Sequence, residues 1–109
     1  MTKEQKLFHV LNDLGIPVGT KCRQYIEDCV FYALQNNDRY VSYTKEMLYR
    51  VAKINGVSIS AIDKLIRKFF KLFCAENHSK TRTEIFGDVE QITSYKFIAG
   101  IAKYMKISD

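Results

Sequence analysis

Apolar residues along this chain recur three and four positions apart and almost never alternate, so the pattern predicts helices and almost no strand. Leu7, Val10, Leu11 and Leu14 share one helical face. Thr2 and Gln5 have the spacing of a capping box, and Gly15 and Pro17 close the segment, which places a first helix over residues 3–14. Cys22, Tyr25, Ile26, Cys29, Val30 and Ala33 mark a second amphipathic helix over residues 20–35, with a polar turn at 36–39 after it. A third helix, capped by Thr44, carries the stripe Met47, Leu48, Val51 and Ile54 and ends at Gly56. Ser58 or Ser60 caps a fourth, whose bulky stripe Ile62, Leu65, Ile66, Phe69 and Phe73 extends it to about residue 75. After a polar loop at 76–80, residues 83–86 form a short helical turn stopped by Gly87. Thr93 or Ser94 caps a last helix with Phe97, Ile98, Ile101 and Met105 facing inward. The expected fold is all-α, a single domain over residues 1–109 with five to six helices and no internal repeat or linker.

Residues 51–70, VAKINGVSISAIDKLIRKFF, hold the pattern with the most functional content. In a helix-turn-helix, the first helix needs a small residue where the second crosses it, and the turn needs a residue that tolerates positive φ. An apolar residue of the second helix must then point back into the shared core. Ala52, Gly56 and Ile62 occupy those places, and Met47, Leu48, Val51, Val57 and Leu65 complete a small core, so the motif is placed at about 44–75. On the other side of the second helix Ser60, Lys64, Arg67, Lys68 and Lys71 stand three or four apart and project together. A recognition helix presents its N-terminal residues to base edges in the major groove and its later cations to phosphate. Arg67 or Lys64 suits guanine O6 and N7, while Asp63 suits cytosine N4 or, equally, the dipole at the helix start. Thr44 and Lys45, at the start of the supporting helix, suit the sugar-phosphate backbone, and Lys80 and Arg82 a flanking phosphate.

The distribution of charge sharpens this. The net charge is +5, yet residues 44–82 hold nine Lys or Arg against three acidic residues, a local +6, and the rest of the chain is −1. A localised excess is the footprint of a polyanion-binding face, although a solvated Lys-rich surface has the same composition. At 47% apolar residues the chain can fill one core. No run approaches the roughly 18 continuous apolar residues of a membrane span, and the start MTKEQKLF is too polar for a signal peptide, so a cytoplasmic location is expected, with nucleoid association when bound to DNA. Cys22, Cys29 and Cys74 are odd in number and form no CxxC pair, which suggests buried small hydrophobes rather than a disulfide or a zinc site. His9 and His78 lie far apart without a partnering pattern, and the chain has no Gly-rich phosphate loop and no paired catalytic carboxylates. Neither enzymatic activity, nor a metal, nor a cofactor is expected.

Several motifs, in order along the chain, carry a family resemblance. LNDLGIPVGTK (11–21) is similar to an L-x-x-x-G-(Val or Ile)-P opening, and YTKEMLYRVAKI (43–54) to a T-K-x-L-Y-x-x-(Ile or Val)-A-K run. SAIDKLIRK (60–68) is similar to S-x-V-E-R-x-I-R-H, and IFGD (85–88) with KFIAGIAKYM (96–105) to an F-G and then an E-F-I-A-x-(Val or Ile)-A-x-x-L ending. Over nearly all of its length the chain resembles the C-terminal DNA-binding effector domain of the sporulation response regulator, stage zero sporulation protein A. The resemblance implies a six-helix domain that binds short operator boxes, often as a homodimer on tandem head-to-tail sites, and regulates transcription by contacting RNA polymerase. Carried over by position, Asp63, Lys64, Arg67 and Lys68 stand where that family has its base- and phosphate-contacting Glu, Arg, Arg and His, and only Arg67 is identical. Ala61 replaces a basic residue common there, and Lys64 lacks the bidentate fork of Arg, so the operator sequence is expected to differ. The resemblance also implies that residues 77–90 lie in a region used for contact with the sigma subunit. The family regulator carries a phosphoreceiver domain for which 109 residues leave no room, so either an excised effector domain or a stand-alone relative is expected.

The function expected is that of a sequence-specific DNA-binding transcription regulator of the sporulation-initiation type, with double-stranded DNA as partner. The alternative is a protein–protein interaction module that keeps the fold and has lost operator recognition. Candidate base contacts are Ser60, Asp63, Lys64, Arg67 and Lys68, and candidate backbone contacts are Thr44, Lys45, Ser58, Lys71, Lys80 and Arg82.

Overall fold

A computed structural model describes residues 1–35, 43–74, 79–89 and 91–107; the side chains at 43–45 and 73–74 lie outside that description. Among the described residues there are six α-helices and no strand. They are α1 (Lys3–Asp13), α2 (Lys21–Gln35), α3 (Tyr43–Asn55), α4 (Ile59–Phe69), α5 (Lys80–Phe86) and α6 (Ser94–Ile107), with α4 continuing as a π-helical turn over Phe70–Cys74. The predicted turn at 36–39, the predicted helix end at 75 and residues 76–78 of the predicted loop lie outside the described residues.

Local chemistry sets the helix ends. At the start of α1 the Thr2 hydroxyl accepts the Gln5 N–H at 3.1 Å and the Gln5 side chain accepts the Thr2 N–H at 2.9 Å, the reciprocal pair expected from the sequence. Thr20 caps α2 by accepting the Arg23 N–H at 3.2 Å. At the end of α3 the Val57 N–H reaches the Ala52 carbonyl at 3.0 Å and the Gly56 N–H reaches Lys53 at 3.4 Å, a Schellman closure with Gly56 at φ +66°.

α2 is the hub, packed against α3, α4 and α6. Its Ile26, Cys29 and Val30 share one buried core with Leu48 of α3, Ile62 and Ile66 of α4, and Ile98 and Ile101 of α6. α5 is attached through a ring cluster. Phe86 stacks on Phe97 at 5.4 Å between centroids, and Phe70 meets both edge-on at 5.4 and 5.9 Å. Gly100 of α6 lets α5 come this close, since a Cβ there would stand 3.1 Å from the Phe86 ring and 3.2 Å from Ile85.

Several expectations change. α3 begins at Tyr43, so Thr44 lies inside its first turn and is not its cap. Ile54 is 78% exposed and not in the core. The inward side of α3 is set by Met47, Leu48, Val51 and Ala52; Asn55 falls on it, and Ile54 lies about a quarter-turn away. Asn55 instead binds the Asp28 carboxylate at 3.1 Å and the Val51 carbonyl at 2.8 Å and accepts from the Gln24 side chain at 3.3 Å, tying α3 to α2. α5 starts at Lys80, three residues before the predicted turn, because Ser79 caps it by accepting the Arg82 N–H at 3.1 Å.

Candidate nucleic-acid interface

α3, the turn at Gly56 and α4 form the helix-turn-helix, and α4 is the element that faces outward with most of its charge. Ser58 is its N-cap, accepting the Ala61 N–H at 3.0 Å, which settles the choice between Ser58 and Ser60. Ile62 and Ile66 are fully buried, and one further turn on, Phe70 is buried too, a core residue the periodicity did not single out. Leu65 and Phe69 are half-buried against the same core, while the Phe73 side chain lies outside the described residues. Ala52 is buried where α3 meets α4, as a small crossing residue must be.

The opposite face of α4 and of the π-helical turn that continues it carries Ser60, Lys64, Arg67, Lys68 and Lys71, all exposed. The geometry brings these five together on one solvent-facing strip. Arg67 is 53% exposed and pairs through a terminal nitrogen with Asp63 at 3.0 Å. Asp63 itself is 31% exposed, and its second oxygen accepts a hydrogen bond from the Ser94 hydroxyl at the start of α6. Its carboxylate is therefore engaged within the domain at both oxygens, each of which keeps a further lone pair.

The flanking candidates divide. Lys80 is exposed and loosely paired with Glu84 at 3.7 Å. Arg82 is not at the surface: it is 5% exposed, donates to the Val89 carbonyl at 2.6 Å, and its guanidinium lies 5.9 Å from the centre of the Phe70 ring. The reading of Arg82 as a phosphate contact is corrected accordingly. α5 starts earlier than its periodicity suggested, and that start turns Arg82 inward over the ring cluster. Thr44 and Lys45 lie in the first turn of α3, and their side chains are outside the described residues, as are residues 77, 78 and 90 of the segment expected to meet a sigma subunit.

A second buried cation went unread in the sequence. Arg23 of α2 is 3% exposed and donates to the Phe8 and Ile16 carbonyls at 2.8 and 2.7 Å and to Asn12 at 2.8 Å, with Glu27 at 3.5 Å. It fastens the end of α1 to α2, and a pattern that counts Arg as a polar position gives no signal for it. Among the described residues no group of three or more His, Cys, Asp or Glu side chains is placed to hold a metal, and no helix is long and apolar enough to cross a membrane. Cys22 and Cys29 are buried thiols outside any disulfide, in line with their reading as core residues.

An all-helical domain that buries one side of the second helix of a helix-turn-helix and turns the cationic side to solvent has the architecture that DNA-binding regulatory domains use. A family model described as sporulation initiation factor Spo0A C terminal matches residues 7–105. The chain belongs to that family, which comprises sporulation DNA-binding effector domains that regulate transcription and is not a family of enzymes. No solved structure gives a significant match to the chain.

Proposed function

We propose that the chain reads double-stranded DNA in a sequence-specific way, with α4 lying in the major groove. The observation that carries this is the division of α4 into a face that is fully buried at Ile62 and Ile66 and a face on which Ser60, Lys64, Arg67, Lys68 and Lys71 all meet solvent. Ser60 and Lys64 lie in the first half of the helix, where a recognition helix meets base edges, Lys68 follows beside Arg67 on the same strip as a further base contact, and Lys71 lies further on, where the helix diverges toward phosphate. Arg67 supplies the bidentate fork that a guanine edge accepts. Ser58 is exposed, and with its oxygen occupied by the Ala61 N–H it still has a hydroxyl proton to donate to a phosphate. Thr44 and Lys45 stand in the first turn of α3, the end of a helix whose N–H groups and dipole suit the same backbone. Lys80 is a peripheral phosphate contact.

Selection of bound sequences from a random duplex pool tests this. One enriched motif is expected. On that site Arg67→Ala should cost about 1 to 3 kcal/mol and relax preference at one base pair, while Lys71→Ala should weaken all duplexes alike. Equal losses on selected and random duplexes for Arg67→Ala would remove its base-reading role. Failure to bind any duplex would assign the cationic face to a protein partner.

A further inference from the structure

Asp63 stands between the helix-turn-helix and the rest of the domain. One carboxylate oxygen accepts a hydrogen bond from Ser94 of α6 and the other pairs with Arg67 at 3.0 Å. Ser94 is 4% exposed, so the three groups run from the core to the reading surface. α6 does not need the Ser94 hydroxyl as a cap, because Thr93 already accepts the Lys96 N–H at 3.1 Å. We propose that Ser94 and Asp63 are positioning residues for DNA recognition. Ser94, which lies outside the helix-turn-helix, fixes the Asp63 carboxylate, and Asp63 holds the Arg67 guanidinium in one orientation.

The physical reason is preorganisation. An arginine on an open helix face samples many rotamers, and binding a base must freeze one of them. Asp63 engages one terminal nitrogen of Arg67 and leaves the remaining N–H donors for a base edge. Its negative charge on the reading face also repels a misplaced phosphate, which penalises binding out of register. A carboxylate free to swing would do neither, and the buried hydroxyl of Ser94 restrains it. This inference rests on the reading of Arg67 as a base contact.

The test uses the full chain, the duplex it selects and a shuffled duplex of the same length, and reads the ratio of the two affinities. Ser94→Ala and Asp63→Asn should each lower that ratio about three- to tenfold, the size expected for one hydrogen bond or charged contact. Neither should lower it further once Arg67→Ala is present, because both act through that side chain. Ser94→Thr, which keeps the hydroxyl, should retain most of the ratio. An unchanged ratio for both Ser94→Ala and Asp63→Asn, with Arg67→Ala still harmful, overturns the positioning role and leaves the base-reading role standing. Losses of equal size with and without Arg67 also overturn it, since they report a loosened domain. If Arg67→Ala leaves the ratio unchanged, the base-reading role itself fails. Should Ser94→Ala prevent folding, Asp63→Asn, at a position about a third exposed, decides the matter alone.

Discussion

Arg23 shows how one side chain can hold two helices together. Its charge is buried, and it is acceptable there because two carbonyls and an amide oxygen accept from its guanidinium, the Glu27 carboxylate stands 3.5 Å away, and its face lies 5.0 Å from the centre of the Phe8 ring. Arg23→Met keeps the length and removes the donors, and the Ile16 carbonyl, whose bond to Arg23 is the buried one, loses this partner. The expected loss is about 1 to 3 kcal/mol, read from urea unfolding. Cys29 offers a second check at this scale. Burial, with Asp28 and Cys22 nearby, pushes its thiol from 9.0 up to about 12. The folded chain therefore keeps the proton that the unfolded chain releases above about pH 9, so this group stabilises the fold below pH 9 and the benefit falls away as pH rises toward 12. Alkylation should accordingly reach Cys29 in urea and spare it in the native chain at pH 7.5. The burial of Cys29 was legible from its helical spacing to Cys22, whereas the burial of Arg23 was not, because its partners Phe8 and Asn12 lie 15 and 11 positions away.

At the level of elements, helix starts and stops follow local rules, and departures have tertiary causes. The capping box at Thr2 and the turn at Gly56 come directly from residue type. The outward face of Ile54 does not, since the same spacing that makes it part of a stripe leaves it beyond the reach of α2, and Asn55 takes the inward place. The approach of α5 to α6 is another tertiary fact. Gly100→Ala improves intrinsic helix propensity by about 1 kcal/mol, but the added methyl presses on Phe86, which two other rings already confine. Overpacking costs about 1 to 3 kcal/mol, so a net loss of stability is expected, visible as a lower Tm.

For the whole molecule, charge placement decides the outcome. Of the cations in residues 44–82, Arg82 is turned inward, whereas Lys64, Arg67, Lys68 and Lys71 form one exposed strip backed by a buried apolar face. Each phosphate neutralised contributes about −0.9 to the slope of log affinity against log salt. Binding should therefore fall with a slope of about −3 or steeper, and Lys71→Ala should make it shallower by about one, measurable by fluorescence anisotropy from low to moderate salt. A slope near zero would leave the strip without a phosphate role.

Apolar periodicity, caps and the positive-φ glycine depend on residues a few positions apart, so helix number and type, the helix-turn-helix and the cationic face of α4 were already present in the amino-acid order. The joins between distant segments were not. Asp63 meets Ser94 across 31 positions, Arg23 meets Phe8 across 15, and Arg82 turns inward onto Phe70. An arginine or aspartate carries the same charge whether it faces solvent or a carbonyl, and no local pattern distinguishes the two. Only the packing of α1, α5 and α6 around the core determined which charges remain outside to meet a duplex and which are used to hold the domain together.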